Sequence, residues 1–344
     1  MIQNVVMKFT LTILFFLISS CASSSTEEKG KFVAPYDGEK FQNIEPTQDK
    51  SFFTLLKWKF TSERAVWPKW VPTTPGKVLK QRTDKGEVHW MMINHASVLI
   101  QMDGVNILTD PIWSERTSPV SWAGPKRVTN PGLKFEDLPP IDYVVISHNH
   151  YDHLDLPTLV NLKEKYDPLF IVGLKNRKLL ESEGIKKILE MDWWQSETKE
   201  AISIKFVPAQ HWSARSLSDK REALWGGFVI EGSKKIYFAG DTGYGKFFKL
   251  IREKIGSPDI SFIPIGAYEP RWFMKPFHVN PEEAVQGHLD LGSKLSVGVH
   301  FGTFQLTDEG YDQPAKDLQL ALQKYQVGNF LVPTFGKLEI YDSK

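Results

Sequence analysis

Short apolar runs of strand length begin at residue 88. VHWMMI, SVLIQM and VNILTD follow one another between residues 88 and 110. Turn-type residues separate them, including the Asp103-Gly104 pair, and the pattern predicts a β-meander with a tight hairpin. Pro111 to Pro140 is irregular and rich in Pro and Gly, and so long a loop inside a domain is usually functional. The pattern then alternates. DYVVIS (142–147) reads as a strand and LPTLVNLKEKY (156–166) as a helix. PLFIVG (168–173) reads as a strand and KNRKLLESEG (175–184) as a short helix closed by Gly. Strand-like runs lie at 201–208, 226–231 and 235–239. FKLIREKIG (248–256) has helical spacing and DISFIPIG (259–266) is a strand. PEEAVQGHLDLG (281–292) is a helix with Pro in its first turn and Gly past its end. SVGVHFG, DQPAKDLQLALQKYQV (312–327) and GKLEIY complete the order as strand, helix and strand. Two halves, each combining a meander with α/β alternation, predict two sheets with helices outside, an α/β sandwich.

The N-terminus follows a different pattern. Met1 to Ser20 holds one charge, Lys8, and an apolar run from Phe9 to Ile18. That run is short for a ~30 Å hydrocarbon core, and the whole has the layout of a secretory signal. Its end, Ile18-Ser19-Ser20-Cys21, resembles the bacterial lipoprotein box, which implies cleavage before Cys21 and acyl chains on that residue. Residues 1–20 are thus expected to be a signal peptide. Residues 21–45 are read as the lipidated Cys and a flexible tether, polar and small at its start (ASSSTEEKGK), and residues 46–344 as the folded domain. The expected location is the bacterial cell envelope. Ala22 after the Cys favours the outer membrane, or the periplasmic face, in a Gram-negative cell.

Composition narrows the function classes. The 344 residues are 41% hydrophobic and 24% charged, which excludes disorder, collagen and a coiled coil as overall descriptions. Lys plus Arg is 42 against 41 for Asp plus Glu, so no basic excess exists to hold nucleic acid. The one Cys excludes an intramolecular disulfide and a cysteine metal cluster. No Walker loop, dinucleotide glycine pattern or G-x-S-x-G elbow occurs.

The dense chemistry lies where the strand at 142–147 ends. His148-Asn149-His150-Tyr151-Asp152-His153 offers four ligand side chains in six residues. Alternate residues of an extended chain face one way, so His148 and His150 can grip one ion, and Asp152 and His153 at the following turn can face a second. Further donors stand at later strand ends: His211, Asp241 and His300. The expected arrangement is His148, His150 and His211 on one ion, Asp152, His153 and His300 on the other, with Asp241 bridging. Imidazole and carboxylate suit Zn²⁺, two per chain, and also suit Mn or Fe. Such a pair makes hydroxide available near neutral pH and stabilises charge on a phosphoryl or carbonyl oxygen. The donor set alone predicts a metallohydrolase and leaves the cleaved bond open.

The same residues carry a resemblance. H-N-H-Y-D-H with His211, Asp241 and His300 resembles the metallo-β-lactamase superfamily, which implies an αββα sandwich. LTDPIWSERTSPVSWAGPKR (108–127), LPPIDYVVISHNHYDHLD (138–155), FAGDTGY (238–244), IPIGAYEPRWFMK (263–275), HVNPEEAV (278–285) and HFGTF (300–304) resemble, more closely, the N-acyl-phosphatidylethanolamine-hydrolysing phospholipase D family. The resemblance implies attack of metal-bound hydroxide on a phosphodiester, releasing an N-acylethanolamine and leaving phosphatidic acid. It adds His278 to Asp152 and Asp241 as the catalytic set, with His278 on the phosphate or assisting proton transfer. Tyr268, Arg271, Trp272, Phe273 and Met274 become the expected substrate contacts, and a phospholipid at a membrane surface the expected partner. A homodimer is a further expectation, with no interface marked in the sequence. Asn280 departs from the Asp of the family pattern, a change that bears on helix capping.

Other readings stay open at this level. A lactonase, ester or amide hydrolase fits the same donors, and a non-catalytic lipid-binding envelope protein is a third class. Phe52 to Phe60 (FFTLLKWKF), with Trp67 and Trp70 beyond, reads either as an interfacial membrane patch or as a helix packed on the sandwich with its lysines snorkelling. His95 and Asp110, near strand ends, read either as residues that orient metal ligands or as turn residues. His89 and His288 carry no expected duty.

Overall fold

The chain builds its layers in sequence order. Helix α1 (Phe52–Thr61) comes first, with the Ser51 hydroxyl accepting from the Thr54 N–H at its start. The predicted meander follows as β1 (Val88–Asn94), β2 (Ser97–Met102) and β3 (Val105–Thr109). Then β4 (Tyr143–Ile146), α2 (Leu156–Tyr166), β5 (Leu169–Gly173), α3 (Arg177–Ser182) and β6 (Ile188–Met191) continue as parallel strands with crossover helices. A second meander, β7 (Ser196–Lys199), β8 (Ile202–Val207), β9 (Gly227–Glu231) and β10 (Lys235–Phe238), is antiparallel. It leads into α4 (Phe247–Ile255), β11 (Ile260–Pro264), the short α5 (Arg271–Met274), α6 (Pro281–Leu291), β12 (Leu295–Val299), α7 (Gln313–Tyr325), β13 (Phe330–Leu331) and β14 (Leu338–Tyr341).

This computed structural model describes residues 34–47, 50–199 and 201–341. Among them the strands form two seven-stranded sheets, in the orders β14-β1-β2-β3-β4-β5-β6 and β13-β12-β11-β10-β9-β8-β7. Alternate residues of one strand enter different layers, as a two-residue period requires. In β4, Tyr143 and Val145 join the core between the sheets, while Val144 and Ile146 join the layer with Leu159 and Leu162 of α2. In the second sheet, Phe228, Ile236 and Phe262 point into the shared core, and Val229, Tyr237 and Ile263 meet α4, α6 and α7. Trp90 of one sheet meets Phe262 of the other edge-on at 5.6 Å. The α/β sandwich expected from the alternation is therefore the observed architecture. Three short strands, β6, β7 and β13, escape the sequence pattern. β7 (SETK) carries no apolar alternation and lies on the sheet edge, where its register comes from β8.

Two expectations about the N-terminal region meet different outcomes. Residues 1–20 and Cys21 lie outside the described residues. The tether expected over 21–45 is corrected in its described part: Ala34 and Phe41 are buried in the core between the sheets, and the Asn43 side chain accepts from the His211 N–H (3.0 Å) and donates to the His211 carbonyl (2.9 Å). Burial of Phe41 and this pair of hydrogen bonds outweigh the polar look of the segment. No helix among the described residues is long and apolar enough to cross a membrane.

Candidate metal centre

Strand ends from both sheets converge at one edge. β4 delivers Ser147 and His148, and the turn before α2 carries His150, Asp152 and His153. The segment after β8 reaches His211, the turn after β10 carries Asp241, and β12 runs into His300. Backbone bonds tie these ends together: Gly226 N–H to Ser147 O (3.0 Å), Gly243 N–H to Gln210 O (2.8 Å) and His300 N–H to His95 O (2.6 Å). Gly240 has φ +61°, and a β-carbon there would fall 2.4 Å from that of Ser147. Only glycine lets the two edges close this far. His95, Asp110 and His300 also take positive φ (+43°, +34° and +62°). Each such conformation costs about 1–3 kcal/mol and persists because the surroundings over-determine it.

Hydrogen bonds at the far side of three rings set which nitrogen faces inward. The Asp110 carboxylate accepts from His153 Nδ1–H (2.7 Å), from Ser147 N–H (2.7 Å) and from Ser147 Oγ–H (2.6 Å). The Ser147 hydroxyl, its proton committed to Asp110, accepts from His148 Nδ1–H (3.0 Å). His211 Nδ1–H donates to the Phe277 carbonyl (2.9 Å). The Nε2 lone pairs of His148, His153 and His211 are thereby turned into the site. There, His148 Nε2 lies 2.8 Å and His211 Nε2 3.3 Å from His150 Nδ1. Asp152 Oδ2 lies 3.2 Å from both His153 Nε2 and His300 Nε2, and 2.9 Å from His95 Nε2. Asp241 Oδ2 stands between the two groups, 3.2 Å from His153 Nε2, 3.1 Å from His300 Nε2, 4.0 Å from His148 Nε2 and 3.8 Å from His211 Nε2.

Donor atoms gathered at such distances can hold a cation between them. Asp241 Oδ1 and His150 Nε2 are buried without any hydrogen-bond partner, and the potential ligand atoms fall into groups that can hold a metal ion. The donor chemistry therefore fits divalent metal. The electrostatics agree. Burial pushes His148 well below the usual histidine range, His150 to about 3 and His211 to about 4, which keeps them neutral as ligands must be, and it lowers the neighbouring His95 to about 4 as well. Burial opposes charge on Asp152 and Asp241 too, yet the surrounding imidazoles, His153 foremost, hold both well below the usual carboxylate range. Against the same burial, Asp241 and Asp152 raise His153 well above its ordinary value and His300 to about 9. With no cation present these two rings carry the positive charge that the carboxylates call for, and a metal ion would take their protons' place.

The beta-lactamase superfamily domain profile matches residues 105–301. An N-acyl-phosphatidylethanolamine-hydrolyzing phospholipase D 1 of Caenorhabditis elegans is 40% identical over 264 residues, covering 72% of this chain and 74% of that protein. The chain belongs to the N-acyl-phosphatidylethanolamine-hydrolysing phospholipase D family of the metallo-β-lactamase superfamily. A mitochondrial protein of the same name from Saccharomyces cerevisiae is 36% identical over 252 residues, 70% of this chain and 53% of that protein. Among solved structures, a metallo hydrolase from the archaeon Ignicoccus hospitalis shares the fold with a TM-score of 0.58 at 20% identity, covering 75% of this chain and 100% of that one. The chain is thus a metal-dependent hydrolase of the metallo-β-lactamase fold, with a His/Asp cluster able to bind metal.

The structure sorts the remaining residues of this family pattern. His278 reaches the cluster: its Nδ1 lies 3.9 Å from Asp241 Oδ2 and its ring centre 5.1 Å from that of His211. Burial lowers its pKa well below the usual range, so the ring is neutral. Asn280 caps α6, accepting from the Glu283 N–H (2.8 Å) in a full capping box, so its difference from Asp leaves the cap intact. Two of the expected substrate contacts are otherwise engaged. Tyr268 is buried and donates to Asp317 of α7 (2.5 Å). Arg271 donates to Glu283 (2.6 Å) and to the His278 carbonyl (2.8 Å), which steadies the turn carrying His278. Phe273 and Met274 are half-buried and Trp272 is exposed. Asp110 accepts from His153 and Ser147, and His95 Nε2 lies 2.9 Å from Asp152 Oδ2. Asn43 and Ser147 were missed; Ser147 could have been found as the residue ending the β4 run, whereas nothing local marks Asn43.

Proposed function

We propose that this chain is a zinc-dependent phosphodiesterase of the phospholipase D type. It hydrolyses N-acyl-phosphatidylethanolamine, or a related phospholipid, to N-acylethanolamine and phosphatidic acid. The observation that carries the reading is the 40% identity, across most of both chains, to a protein named for that reaction. The donor groups support it: His148, His150 and His211 would hold one cation and Asp152, His153 and His300 another, with Asp241 between them. Divalent cations held there would bring the pKa of water down toward ~7 and stabilise charge on a phosphoryl oxygen. The protein's own part is orientation. Asp110, Ser147 and the Phe277 carbonyl keep the rings turned inward. His278, neutral and beside Asp241, is suited to donate a hydrogen bond to the phosphate rather than to act as a ready acid.

The test is to incubate the zinc-loaded protein with mixed vesicles containing N-acyl-phosphatidylethanolamine and to read products by mass spectrometry, beside Asp241→Asn. N-acylethanolamine and phosphatidic acid are expected, and are expected to vanish in the variant. Intact lipids together with cleavage of lactones or esters would overturn the phosphodiesterase reading. We also propose that the chain is anchored in the bacterial envelope through acylated Cys21. Mass spectrometry of the N-terminal peptide is expected to begin at acylated Cys21, and a chain retaining residues 1–20 would overturn the anchor.

A further inference from the structure

His211 takes its backbone support from outside its own sheet. It follows the end of β8 at Val207, and among the described residues neither its N–H nor its carbonyl pairs with another backbone group. Both pair instead with one side chain of the N-terminal segment. Asn43 Oδ1 accepts from the His211 N–H (3.0 Å), and Asn43 Nδ2–H donates to the His211 carbonyl (2.9 Å). Both residues are buried.

Asn43 uses its whole hydrogen-bonding capacity here. A carboxamide has two donor hydrogens and two acceptor lone pairs. The second hydrogen goes to Thr47 Oγ1 (3.1 Å). The second lone pair accepts from Trp225 Nε1–H (3.1 Å), which the Ala209 carbonyl shares. An aspartate in this place would lose the donors and set a charge against the His211 carbonyl. An apolar residue would leave both backbone groups of His211 buried and unpaired.

The segment grips the neighbouring turn as well. The Glu45 carbonyl accepts from Gln210 Nε2–H (2.8 Å), and the Glu45 carboxylate accepts from the Lys246 N–H (2.6 Å) at the start of α4. Gln210 in turn joins the Asp241 turn: its N–H donates to Thr242 Oγ1 (2.8 Å), and its carbonyl accepts from the Gly243 N–H (2.8 Å). Residues 43–45 thus tie the stretch carrying His211 to the turn carrying Asp241, while Phe41, buried between the sheets, pins the segment beside them. The bond from His211 Nδ1–H to the Phe277 carbonyl fixes the rotation of the ring. The position of its backbone comes from Asn43.

We propose that Asn43 is a positioning residue of the metal centre. By holding both backbone groups of His211 it fixes the cation group of His148, His150 and His211, and the packing of residues 34–47 onto the domain is a condition for metal to bind there. The inference rests on the metal-binding reading above and on no particular substrate.

The first test titrates the metal-free full chain with Zn²⁺ against a chromophoric chelator. Asn43→Asp is expected to weaken the binding of one zinc by about 10–100-fold and to leave the other unchanged, since Asp152, His153 and His300 come from other turns. Leu318→Ala, in the core beneath α7, is the purely destabilising control: its melting midpoint is expected to fall while both affinities stay. Loaded with Co²⁺, Asn43→Asp is expected to change the visible absorption spectrum and Leu318→Ala to keep it. Unchanged zinc affinities in Asn43→Asp, or an equal loss in Leu318→Ala, overturn the proposal. If the unmodified chain binds no zinc, the metal reading fails and the proposal with it.

The second test needs no substitution, so it stands even where Asn43→Asp does not fold. Coupling between two sites is reciprocal, so metal must steady the segment that steadies its ligand. In hydrogen exchange read by mass spectrometry, adding Zn²⁺ to the unmodified metal-free chain is expected to slow exchange in residues 34–47 more than in α7. Equal slowing in both, or none in residues 34–47, overturns the proposal.

Discussion

Two hydrogen bonds of the Asp110 carboxylate govern which atoms His148 and His153 present. One bond fixes the His153 tautomer directly, and another commits the Ser147 proton so that Ser147 must accept from His148. Asp110→Asn keeps the size but puts an amide where an acceptor is needed. Orienting partners of this kind are typically worth 10–100-fold in metal affinity. A loss of about that size is expected in competition with a chromophoric chelator, and unchanged affinity would deny Asp110 its role. A second residue-scale prediction concerns His288, which is buried in α6 with Nδ1 2.8 Å from the Ser296 hydroxyl. Burial lowers its pKa in the folded chain below the ~6.5 of an unfolded one. The unfolded state then binds the proton more readily. The contribution of His288 is full above pH ~6.5 and is lost as pH falls below it toward the lowered folded value. Denaturant midpoints measured from neutral to mildly acidic pH are expected to fall less steeply for His288→Gln. Parallel curves would contradict this.

At the scale of elements, the turn from α5 into α6 is held by a small set of side chains. Asn280 caps the helix, Glu283 completes the capping box, and Arg271 bridges Glu283 to the His278 carbonyl. The cap therefore serves both the helix and the placement of His278. Asn280→Ala is expected to cost about 1 kcal/mol in stability, read from equilibrium unfolding. It is expected to lower turnover with little change in metal content, because the ligands lie on other elements. A variant with native stability would mean that Arg271 and Glu283 hold the turn unaided.

At the scale of the whole molecule, the donors come from both sheets and the N-terminal segment braces one of them. Asp241 is buried and Asp152 half-buried, and the cluster must balance the charge of both. Metal that binds only the assembled site adds its binding free energy to folding, about 2.7 kcal/mol when free metal is ~100 times its Kd. Chelation is expected to lower the melting midpoint by several degrees, with recovery on adding Zn²⁺. A midpoint indifferent to chelator would show that bound metal adds nothing to stability.

What could be read without coordinates was whatever neighbouring residues encode together. Two-residue and 3.6-residue periods predicted β1 to β5 and the helices α2, α4, α6 and α7, and four donors in six residues at the end of β4 announced a metal site. His211, Asp241 and His300 were legible because each ends or follows a recognisable strand. The tertiary structure alone decided the rest. It packed residues 34–45 onto the domain through Phe41 and Asn43, and paired Tyr268 with Asp317 and Arg271 with Glu283 and the His278 carbonyl. It also placed His95 against Asp152. The physical reason is range. Periodicity and capping are settled over a few residues, whereas a side chain's partner across 168 positions, as for Asn43 and His211, is chosen only when the layers close and buried polar groups must find one another.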